Sequence, residues 1–152
     1  MKKYIIDGNN LIGKIASLQI LQGKNKQASR EKLAYLIERF FIDKKFNVSL
    51  HFDGYQNSPI KISKVKIIYS NSRSADDEIK DEIERTKNRR NIIVVTSDNN
   101  LREFARVCYC ESILSEEFRK ELRKEKTVSE EEKLIEEIND VEEFKKLFNV
   151  KK

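Results

Sequence analysis

The segment Asn91–Thr96 (NIIVVT) constrains the fold more than any other part of this sequence. Its apolar residues form an unbroken run of strand length, without the alternation of polar and apolar residues that a half-solvated strand shows. Strands of this kind are buried on both faces, as in parallel sheets that are covered by helices. The segment therefore predicts a central strand with helices on both sides.

Further segments have the apolar content of strands, and amphipathic segments separate them. The other predicted strands are Lys3–Asp7, Val48–Asp53 and Val65–Tyr69, with a brief edge strand around Cys108–Cys110. The predicted helices, in which apolar residues recur at helical spacing, are Arg30–Lys44, Ala75–Lys87 and Asn99–Val107. Strands that alternate with helices indicate an α/β fold with a mainly parallel sheet.

The composition predicts one globular domain that binds a polyanion. The chain has 152 residues, of which 38% are hydrophobic and 38% are charged. No run approaches the roughly 18 apolar residues of a membrane helix, and Asp7 comes too early for the apolar stretch of a signal peptide. We therefore expect a cytoplasmic protein without membrane contact. The net charge of +5 indicates an anionic partner, of which nucleic acid is the commonest.

The cysteine and histidine content argues against a zinc site. Two cysteines, Cys108 and Cys110, and one histidine, His51, are too few for the four ligands of a structural zinc ion. A disulfide across a single intervening residue would be strained. We expect both cysteines to be ordinary half-buried thiols.

The region from Ser115 onward is helical in pattern and strongly charged. Residues 129–132 and 140–143 have the pattern of capping boxes, so we expect two or three short helices there. The apolar residues predicted to pack them on the domain are Leu134, Ile138, Val141, Phe144 and Phe148. The region is either a solvated appendage or a surface that grips RNA or a partner through Arg119, Lys120, Arg123, Lys124 and Lys126. We divide the chain into a domain over residues 1–113 and an extension over 114–152 that packs on it.

Aspartates follow the predicted strands. Asp7 and Asp53 end the first two, Asp98 comes shortly after the Asn91–Thr96 strand, and an acidic pair at 76–77 opens the helix after the third. Because ligands bind beyond the carboxyl ends of parallel strands, these carboxylates are expected at one edge of the sheet. Clustered carboxylates are costly unless a cation neutralises them, and oxygen ligands suit Mg²⁺ or Mn²⁺. Such ions activate water against phosphodiesters, so the pattern indicates phosphodiester hydrolysis.

Each aspartate also has a purely structural interpretation. Asp98 could cap the following helix, Asp53 with Gly54 could form a turn, and Asp77 matches the third helical position of a capping box. Asp76 lies on the same helical face as the apolar stripe and is expected to point toward the sheet, so we favour it over Asp77 as a ligand. Asp7 has the weakest structural interpretation, because it ends an apolar strand and Gly8-Asn9-Asn10 then allows a tight turn.

Four motifs together resemble a known family. They are Ile6–Gly13 (IDGNNLIG), Phe52-Asp53, Ser74–Ile79 (SADDEI) and Thr96–Asp98 (TSD). In this order they resemble the YacP-like branch of the NYN domains, which belong to the PIN-like nuclease superfamily. The similarity covers residue 3 to about residue 125. Any one motif would be weak, but the DGNNLIG opening and the ADD–TSD pair are specific in combination.

The resemblance implies a fold, an activity and residue roles. The implied fold is a PIN-like three-layer α/β/α arrangement with a five-stranded sheet of order 3-2-1-4-5. The implied activity is that of a metal-dependent endoribonuclease, associated in some members with translating ribosomes. By matched position, the metal-binding acids are Asp7, Asp76 and Asp98, and Asp53 matches an acidic position after the second strand. Asn10 and Ser97 complete the catalytic set that the resemblance implies.

The chain departs from the superfamily pattern at one position. Many PIN-like nucleases have a further acid shortly after the last aspartate, where this chain has Asn99 and Asn100. Asn100 or Glu103 could substitute, or the position is vacant. The number of metal ions therefore stays open, and one is the safer prediction.

RNA that crosses the acidic sites needs cations around them. The predicted RNA-binding residues are Lys14, Arg73, Arg102 and Arg106. The basic run Lys87–Arg90 precedes a strand, so we expect it at the opposite edge of the sheet as a solvated face. Tyr55 and Tyr69 could stack on bases or pack locally, and Gln56–Lys64 is expected to be a mobile loop beside the site.

The sequence thus predicts a metal-dependent endoribonuclease that uses Mg²⁺ or Mn²⁺ and acts on single-stranded mRNA. Action on mRNA at the ribosome is a narrower form of the same prediction. A receiver domain is disfavoured because Asp7 is followed by Gly-Asn-Asn and not paired with a second acid, and because no lysine fits the position that a receiver domain needs after its last strand. A haloacid-dehalogenase-like phosphatase is disfavoured because Asp7-Gly8-Asn9 lacks the second acid. The serious alternative is a non-catalytic RNA- or ribosome-binding module on a PIN-like scaffold.

Overall fold

The computed structural model describes residues 1–124. The capping boxes at 129–132 and 140–143, the apolar residues expected to pack the later helices, and Lys126 all lie outside the described residues. Within them, the predicted extension begins with a helix at Ser115–Lys124.

Five parallel strands form one sheet. They are β1 (Lys3–Asp7), β2 (Asn47–Phe52), β3 (Lys66–Tyr69), β4 (Ile92–Val95) and β5 (Glu111–Ile113). The sheet order is β3-β2-β1-β4-β5, and each neighbouring pair runs parallel. The expected order 3-2-1-4-5 and the α/β fold class are confirmed. Because β1 is central and all strands point the same way, their carboxyl ends share one edge.

Within residues 1–124, six helices cover the two faces of the sheet, together with a 3-10 turn at Arg89–Asn91. They are α1 (Gly8–Ile12), α2 (Ala16–Lys24), α3 (Lys26–Phe41), α4 (Ala75–Arg85), α5 (Asn99–Val107) and α6 (Ser115–Lys124). One hydrophobic cluster joins α1, α2, α3 and α6 to one face, and a second joins α4 and α5 to the other. The three-layer arrangement follows from these two clusters.

Successive strand residues pack into opposite layers, as the two-residue period of a strand requires. Ile6 and Leu50 lie in the cluster beneath α3, whereas Ile5 and Val94 lie in the cluster beneath α4 and α5, and all four are fully buried. Burial of both faces explains why β4 carries apolar residues without alternation. Phe118 of α6 is also fully buried, so this helix belongs to the same core as α3.

The structure differs from the sequence prediction near β1 and near β5. Gly8–Ile12 forms a short helix and not the expected tight turn, and Ala16–Lys24 is a helix that the pattern did not indicate. The edge strand expected at Cys108–Cys110 is wrong: it lies at Glu111–Ile113. The preceding residues are used to end α5, where the Cys110 N–H donates to the Ala105 carbonyl at 2.8 Å.

None of the helices in residues 1–124 combines the length and the apolar character that crossing a membrane demands.

Candidate active site

Asp7 ends the central strand and directly precedes α1. The next residue is a glycine because α1 starts against the end of β2. A Cβ atom on Gly8 would stand 2.5 Å from the His51 carbonyl oxygen and 2.8 Å from the Phe52 ring. Any side chain would push α1 away from the sheet, so Gly8 is what lets Asp7 and the start of α1 lie beside β2.

The Asp7 carboxylate is half-buried and has few donors. The Thr96 hydroxyl, which follows β4, donates to its Oδ2 at 2.9 Å. Loss of solvation is the largest influence and raises the pKa of Asp7 to about 6; the hydrogen bonds from Thr96 and from the Asn10 backbone act against it, and the negative charges of Asp53 and Asp98 add to the increase. Two of the predicted acids therefore lie close enough to Asp7 to disfavour its ionisation.

Asp53 connects β2 to the helices on both faces. Its backbone N–H donates to Asn9 Oδ1 of α1 at 2.8 Å, and its own Oδ1 accepts the Ala75 N–H of α4 at 2.8 Å. Arg30 of α3 is buried and donates to the Asp53 and Tyr55 carbonyls. One aspartate thus brings the start of α4, and with it Asp76, to the edge where β1 ends.

The two acids at the start of α4 have different surroundings. The Asp76 side chain is half-buried, with Oδ2 at 3.1 Å from Lys80 Nζ, while Oδ1 is shielded from solvent and has no hydrogen-bond partner among residues 1–124. Asp77 is exposed, and its N–H donates to the hydroxyl of Ser74, the N-cap residue. A shielded carboxylate oxygen without a donor is what a cation would satisfy.

Asp98 has a structural role that the sequence had left open. Its Oδ1 accepts the Leu101 N–H at 3.1 Å, so it caps α5, and its own N–H donates to Thr96 Oγ1 at 3.1 Å. The Thr96 hydroxyl therefore links the backbone of Asp98 to the carboxylate of Asp7. Asp98 is exposed.

Asn10 and Ser97 join three elements to each other. Asn10 Oδ1 accepts the Ser97 N–H at 2.9 Å and the Ser115 hydroxyl at 2.7 Å. The Ser97 hydroxyl accepts the Ser115 N–H at 3.0 Å and donates to the Glu116 carboxylate. These contacts hold α1, the turn after β4 and the start of α6 together, and they occupy the Asn10 carbonyl oxygen and the Ser97 hydroxyl.

Glu116 is an acidic neighbour of the site that the sequence prediction missed. The hydrogen bond from Ser97 is the main cause of a lowered pKa of Glu116, and Lys14 Nζ lies 3.9 Å from its Oε2. Asparagines occupy positions 99 and 100, where many PIN-like nucleases have a further acid. An additional acid, Glu116, comes instead from the start of α6. The only sequence signal was a serine followed by two glutamates after the last strand, a pattern that is typical of an ordinary helix start.

The predicted RNA-binding cations do not all lie beside the predicted metal-binding aspartates. Lys14 lies beside Glu116, whereas Arg73 pairs with Asp81 and Glu78 on α4, and Arg106 pairs with Glu103 on α5. Arg102 is half-buried on α5. The two tyrosines also differ: Tyr69 packs on Phe52 beneath Arg30, while Tyr55 is exposed.

The loop at Gln56–Lys64 is anchored to α3 near its end. Both Glu38 carboxylate oxygens accept the Lys64 N–H, and one accepts the Ser63 N–H at 3.0 Å. Ile60 and Ile62 pack against the α3 cluster. These contacts tie the end of the segment to the fold, and the expected mobility of the loop stays a prediction.

A second group of buried polar side chains lies beneath α4, and the sequence analysis did not predict it. We call Glu82, His51, Ser49 and Lys3 the Glu82 network. Glu82 accepts from Ser49 Oγ at 2.6 Å, contacts His51 Nε2 at 2.7 Å and pairs with Lys3 Nζ at 2.5 Å. Burial acts to raise its pKa, but these partners outweigh it and lower the pKa of Glu82 to about 2.

A divalent cation fits the donor chemistry of what we call the acidic edge: Asp7, Asp53, Asp76 and Asp98. The donors are all carboxylate oxygens, which Mg²⁺ and Mn²⁺ prefer. Within residues 1–124 no three His, Cys, Asp or Glu side chains stand close enough to hold one ion together. Mg²⁺ commonly keeps several waters and takes only one or two carboxylates plus substrate phosphate, so the arrangement suits that kind of binding.

Comparison with known proteins identifies the kind of domain. The model of the YacP-like NYN domain family matches residues 4–150, nearly the whole chain. The chain belongs to this family. A comparison with curated proteins finds no match. The family assignment agrees with the motifs at Asp7, Asp76 and Asp98 that first indicated it.

Solved structures show the same fold. A tryptophan-to-leucine mutant of Rae1 (YacP) from Bacillus subtilis is 22% identical with a TM-score of 0.69, and the match covers 80% of this chain and 75% of that one. Another structure of Rae1 (YacP) from Bacillus subtilis is 18% identical with a TM-score of 0.67, over 99% of this chain and 87% of that one. A YacP-like NYN domain has a nuclease-like fold, and the family suggests a nuclease-type hydrolase that uses a divalent metal and acts on RNA.

Proposed function

We propose that this protein is a metal-dependent endoribonuclease whose central acid is Asp7. The observation that carries the proposal is the state of that carboxylate. It is half-buried, it faces the charges of Asp53 and Asp98, and one hydroxyl group is its side-chain donor. A fold that keeps a partly desolvated carboxylate in these surroundings gains most when a cation binds there.

Asp7, with Asp53, Asp76 and Asp98 around it, would hold Mg²⁺ or Mn²⁺. When bound, the ion would activate water and stabilise negative charge on the phosphodiester. Thr96 orients the Asp7 carboxylate through its hydroxyl, and the shielded Oδ1 of Asp76 offers a free acceptor. We assign positioning roles to Asn10 and Ser97, because their contacts hold the start of α6 against the acidic edge.

The proposed substrate is single-stranded mRNA, in keeping with the net charge of +5. Lys14 lies in the turn after α1, Arg102 lies on α5, and both are proposed to hold phosphates. Arg73 and Arg106 would first have to exchange their carboxylate partners for phosphate. The reaction is proposed to take place in the cytoplasm, where co-sedimentation with ribosomes would test the association that the family resemblance implies.

A cleavage assay tests the proposal. Purified protein is incubated with end-labelled RNA in Mg²⁺ or Mn²⁺, beside Asp7→Asn, Asp98→Asn and the control Asp77→Asn. We expect internal cleavage by the wild type and by Asp77→Asn, and a loss of about 100-fold or more in the other two, since several kcal/mol of charge stabilisation are removed. Equal cleavage by all four proteins, or by none, contradicts the proposal.

One observation favours the alternative of a non-catalytic RNA- or ribosome-binding module. Within residues 1–124 no three metal-ligating side chains gather around one point. In that case the protein would bind the labelled RNA without cutting it, and Asp7→Asn would bind at least as tightly as the wild type. The cleavage assay, together with a binding measurement on the same labelled RNA, therefore separates the two functions. The division into a nuclease domain at 1–113 and an extension at 114–152 stays a prediction.

A further inference from the structure

A basic pocket lies at the edge of the sheet opposite the acidic edge. It has a volume of about 410 Å³ and is lined by the end of α4, the 3-10 turn at Arg89–Asn91 and Tyr109. The turn directly precedes β4, and Tyr109 precedes β5, so both lie at the amino ends of strands. β4 has four residues, which places about 13 Å of strand between this pocket and the turn that carries Asp98.

Cations dominate the lining of this pocket. Arg85, Lys87, Arg89 and Arg90 face a single acidic residue, Glu84. Arg85 lies in the last turn of α4, where a cation also stabilises the helix dipole. Lys87 and Arg90 lie beyond the helix, are exposed, and form no ion pair with a carboxylate in the part of the chain that the structure describes. Helix stabilisation does not account for them.

Tyr109 has a backbone conformation that tyrosine rarely adopts. Its φ angle is 68°, in the left-handed region, at the position after α5 where glycine is the usual residue. A residue with a Cβ atom is sterically disfavoured there. The ring gains little from burial in return, because 70% of the residue is exposed. Neither the backbone nor the core explains a tyrosine at this position.

The ring and the cations face the same space. The Arg90 guanidinium carbon lies 5.6 Å from the centre of the Tyr109 ring, and both residues line the pocket. An exposed aromatic ring beside uncompensated cations is the combination that binds single-stranded nucleic acid, in which a base stacks on the ring and the phosphates meet the cations. In a duplex the bases are already stacked on each other and do not offer a free face.

We propose that the basic pocket is a second RNA-binding site, which takes one unstacked base on Tyr109 and flanking phosphates on Lys87 and Arg90. The inference rests on the proposed function only in taking RNA as the substrate. It adds an anchor for single-stranded RNA away from the acidic edge. A long strand would reach both sites, while a short oligonucleotide would occupy the acidic edge alone.

The test measures the affinity for a long single-stranded RNA by fluorescence anisotropy at several salt concentrations. We expect Tyr109→Gly to weaken binding by about 5- to 150-fold, which corresponds to the loss of one stacked base. Tyr109→Phe keeps the ring and should keep the affinity. The thermal midpoint of Tyr109→Gly should be unchanged or higher, because glycine suits the left-handed backbone, whereas a purely structural role of the tyrosine predicts a lower midpoint.

The charge arm uses the double variant Lys87→Gln/Arg90→Gln. Loss of two phosphate contacts should reduce the slope of log affinity against log salt by about 1.4. The matched control is Lys32→Gln/Tyr35→Ala, which removes an exposed lysine and an exposed tyrosine from α3. The control should bind RNA as the wild type does.

Cleavage separates this proposal from the proposed function. If the wild type cuts RNA, Tyr109→Gly should still cut a short oligonucleotide at the wild-type rate. If no protein cuts RNA but Tyr109→Gly binds the long RNA more weakly, the pocket proposal stands and the nuclease proposal fails. Wild-type affinity in both the Tyr109→Gly and the double variant, or no RNA binding by the wild type at all, overturns the second site.

Discussion

Two carboxylates lie near the central strand, one half-buried and one buried, and their surroundings drive their pKa values in opposite directions. Asp7 at the end of β1 has a pKa raised from 3.8 to about 6, with burial as the largest cause. Glu82 beneath β1 and β2 has a pKa lowered from 4.5 to about 2, because its hydrogen-bonding partners outweigh its burial. Burial is common to both, so the difference lies in the partners.

The comparison separates a structural carboxylate from a functional one. Glu82 is matched by Lys3, His51 and Ser49, which satisfy its charge within the fold. Asp7 accepts hydrogen bonds from the Thr96 hydroxyl and the Asn10 backbone, has two acidic neighbours, and forms no ion pair with a cation within residues 1–124. A shielded carboxylate without a cationic partner is destabilising when ionised and is typical of a binding or catalytic site.

The largest expected effect comes from removing Glu82. Glu82→Ala leaves Lys3 and His51 without their partner in a buried place, which we expect to lower the free energy of unfolding by about 3–5 kcal/mol. Glu82→Gln keeps the shape and part of the hydrogen bonding, so its loss should be smaller. Urea unfolding at pH 7 measures both, with Glu84→Ala as an exposed control that changes stability by less than about 0.5 kcal/mol. A loss below about 1 kcal/mol for Glu82→Ala would show that the network is not structural.

Removing the charge of Asp7 should stabilise the fold, whereas removing Glu82 should destabilise it. The folded protein holds the Asp7 proton more tightly than the unfolded chain, so ionisation costs no stability below pH 3.8 and progressively more up to pH 6. Without divalent cation, Asp7→Asn should therefore raise the free energy of unfolding by up to about 3 kcal/mol at pH 7.5, and by far less at pH 4.

Urea unfolding in EDTA at the two pH values checks the Asp7→Asn prediction. The exposed residue Asp77, changed to Asn, is the control and should show no such pH dependence. A destabilised Asp7→Asn protein at pH 7.5 would mean that the carboxylate is compensated in the fold after all.

A smaller effect on stability is expected from a substitution at Gly8, which lies between Asp7 and His51 of the Glu82 network. A Cβ atom on Gly8 would collide with the carbonyl of His51, so Gly8→Ala should destabilise the protein by about 1–3 kcal/mol and displace Asp7. Gly23→Ala is the matched control, since a Cβ atom there meets nothing within 4 Å. Gly23 is helical but lies next to the last residue of α2, so this substitution should stabilise by at most about 0.5–1 kcal/mol. Equal effects of the two substitutions would exclude the packing explanation.

The sequence predicted most of the sheet because burial on both faces leaves a strong local signal. Three of the four main strands end in or shortly before an aspartate, and parallel topology then brings Asp7, Asp53 and Asp98 together. Helix α2 was missed because it buries one residue, Leu18, and shows little amphipathic pattern. The β5 strand was misplaced because the cysteines before it resemble a strand although they end α5.

The contacts within the site were harder to predict because they join distant residues. Ser115 and Glu116 meet Asn10 and Ser97 through the packing of α6, which no local pattern specifies. The Glu82 network was missed for the same reason, although Ser49 and His51 alternate with the apolar residues of β2 and so share a face. Polar residues at inward strand positions, opposite a helix with an inward glutamate, are the signal that could have indicated it.

The titration of Asp7 tests the central claim most directly. The Asp7 carboxyl resonance, assigned by comparison with Asp7→Asn, is followed by NMR against pH with and without Mg²⁺. We predict a pKa of about 6 in the absence of divalent cation. With Mg²⁺ the pKa should fall, because the cation favours the ionised carboxylate. A pKa near 3.8 that does not respond to Mg²⁺ would contradict the account of Asp7 as an uncompensated, cation-binding acid.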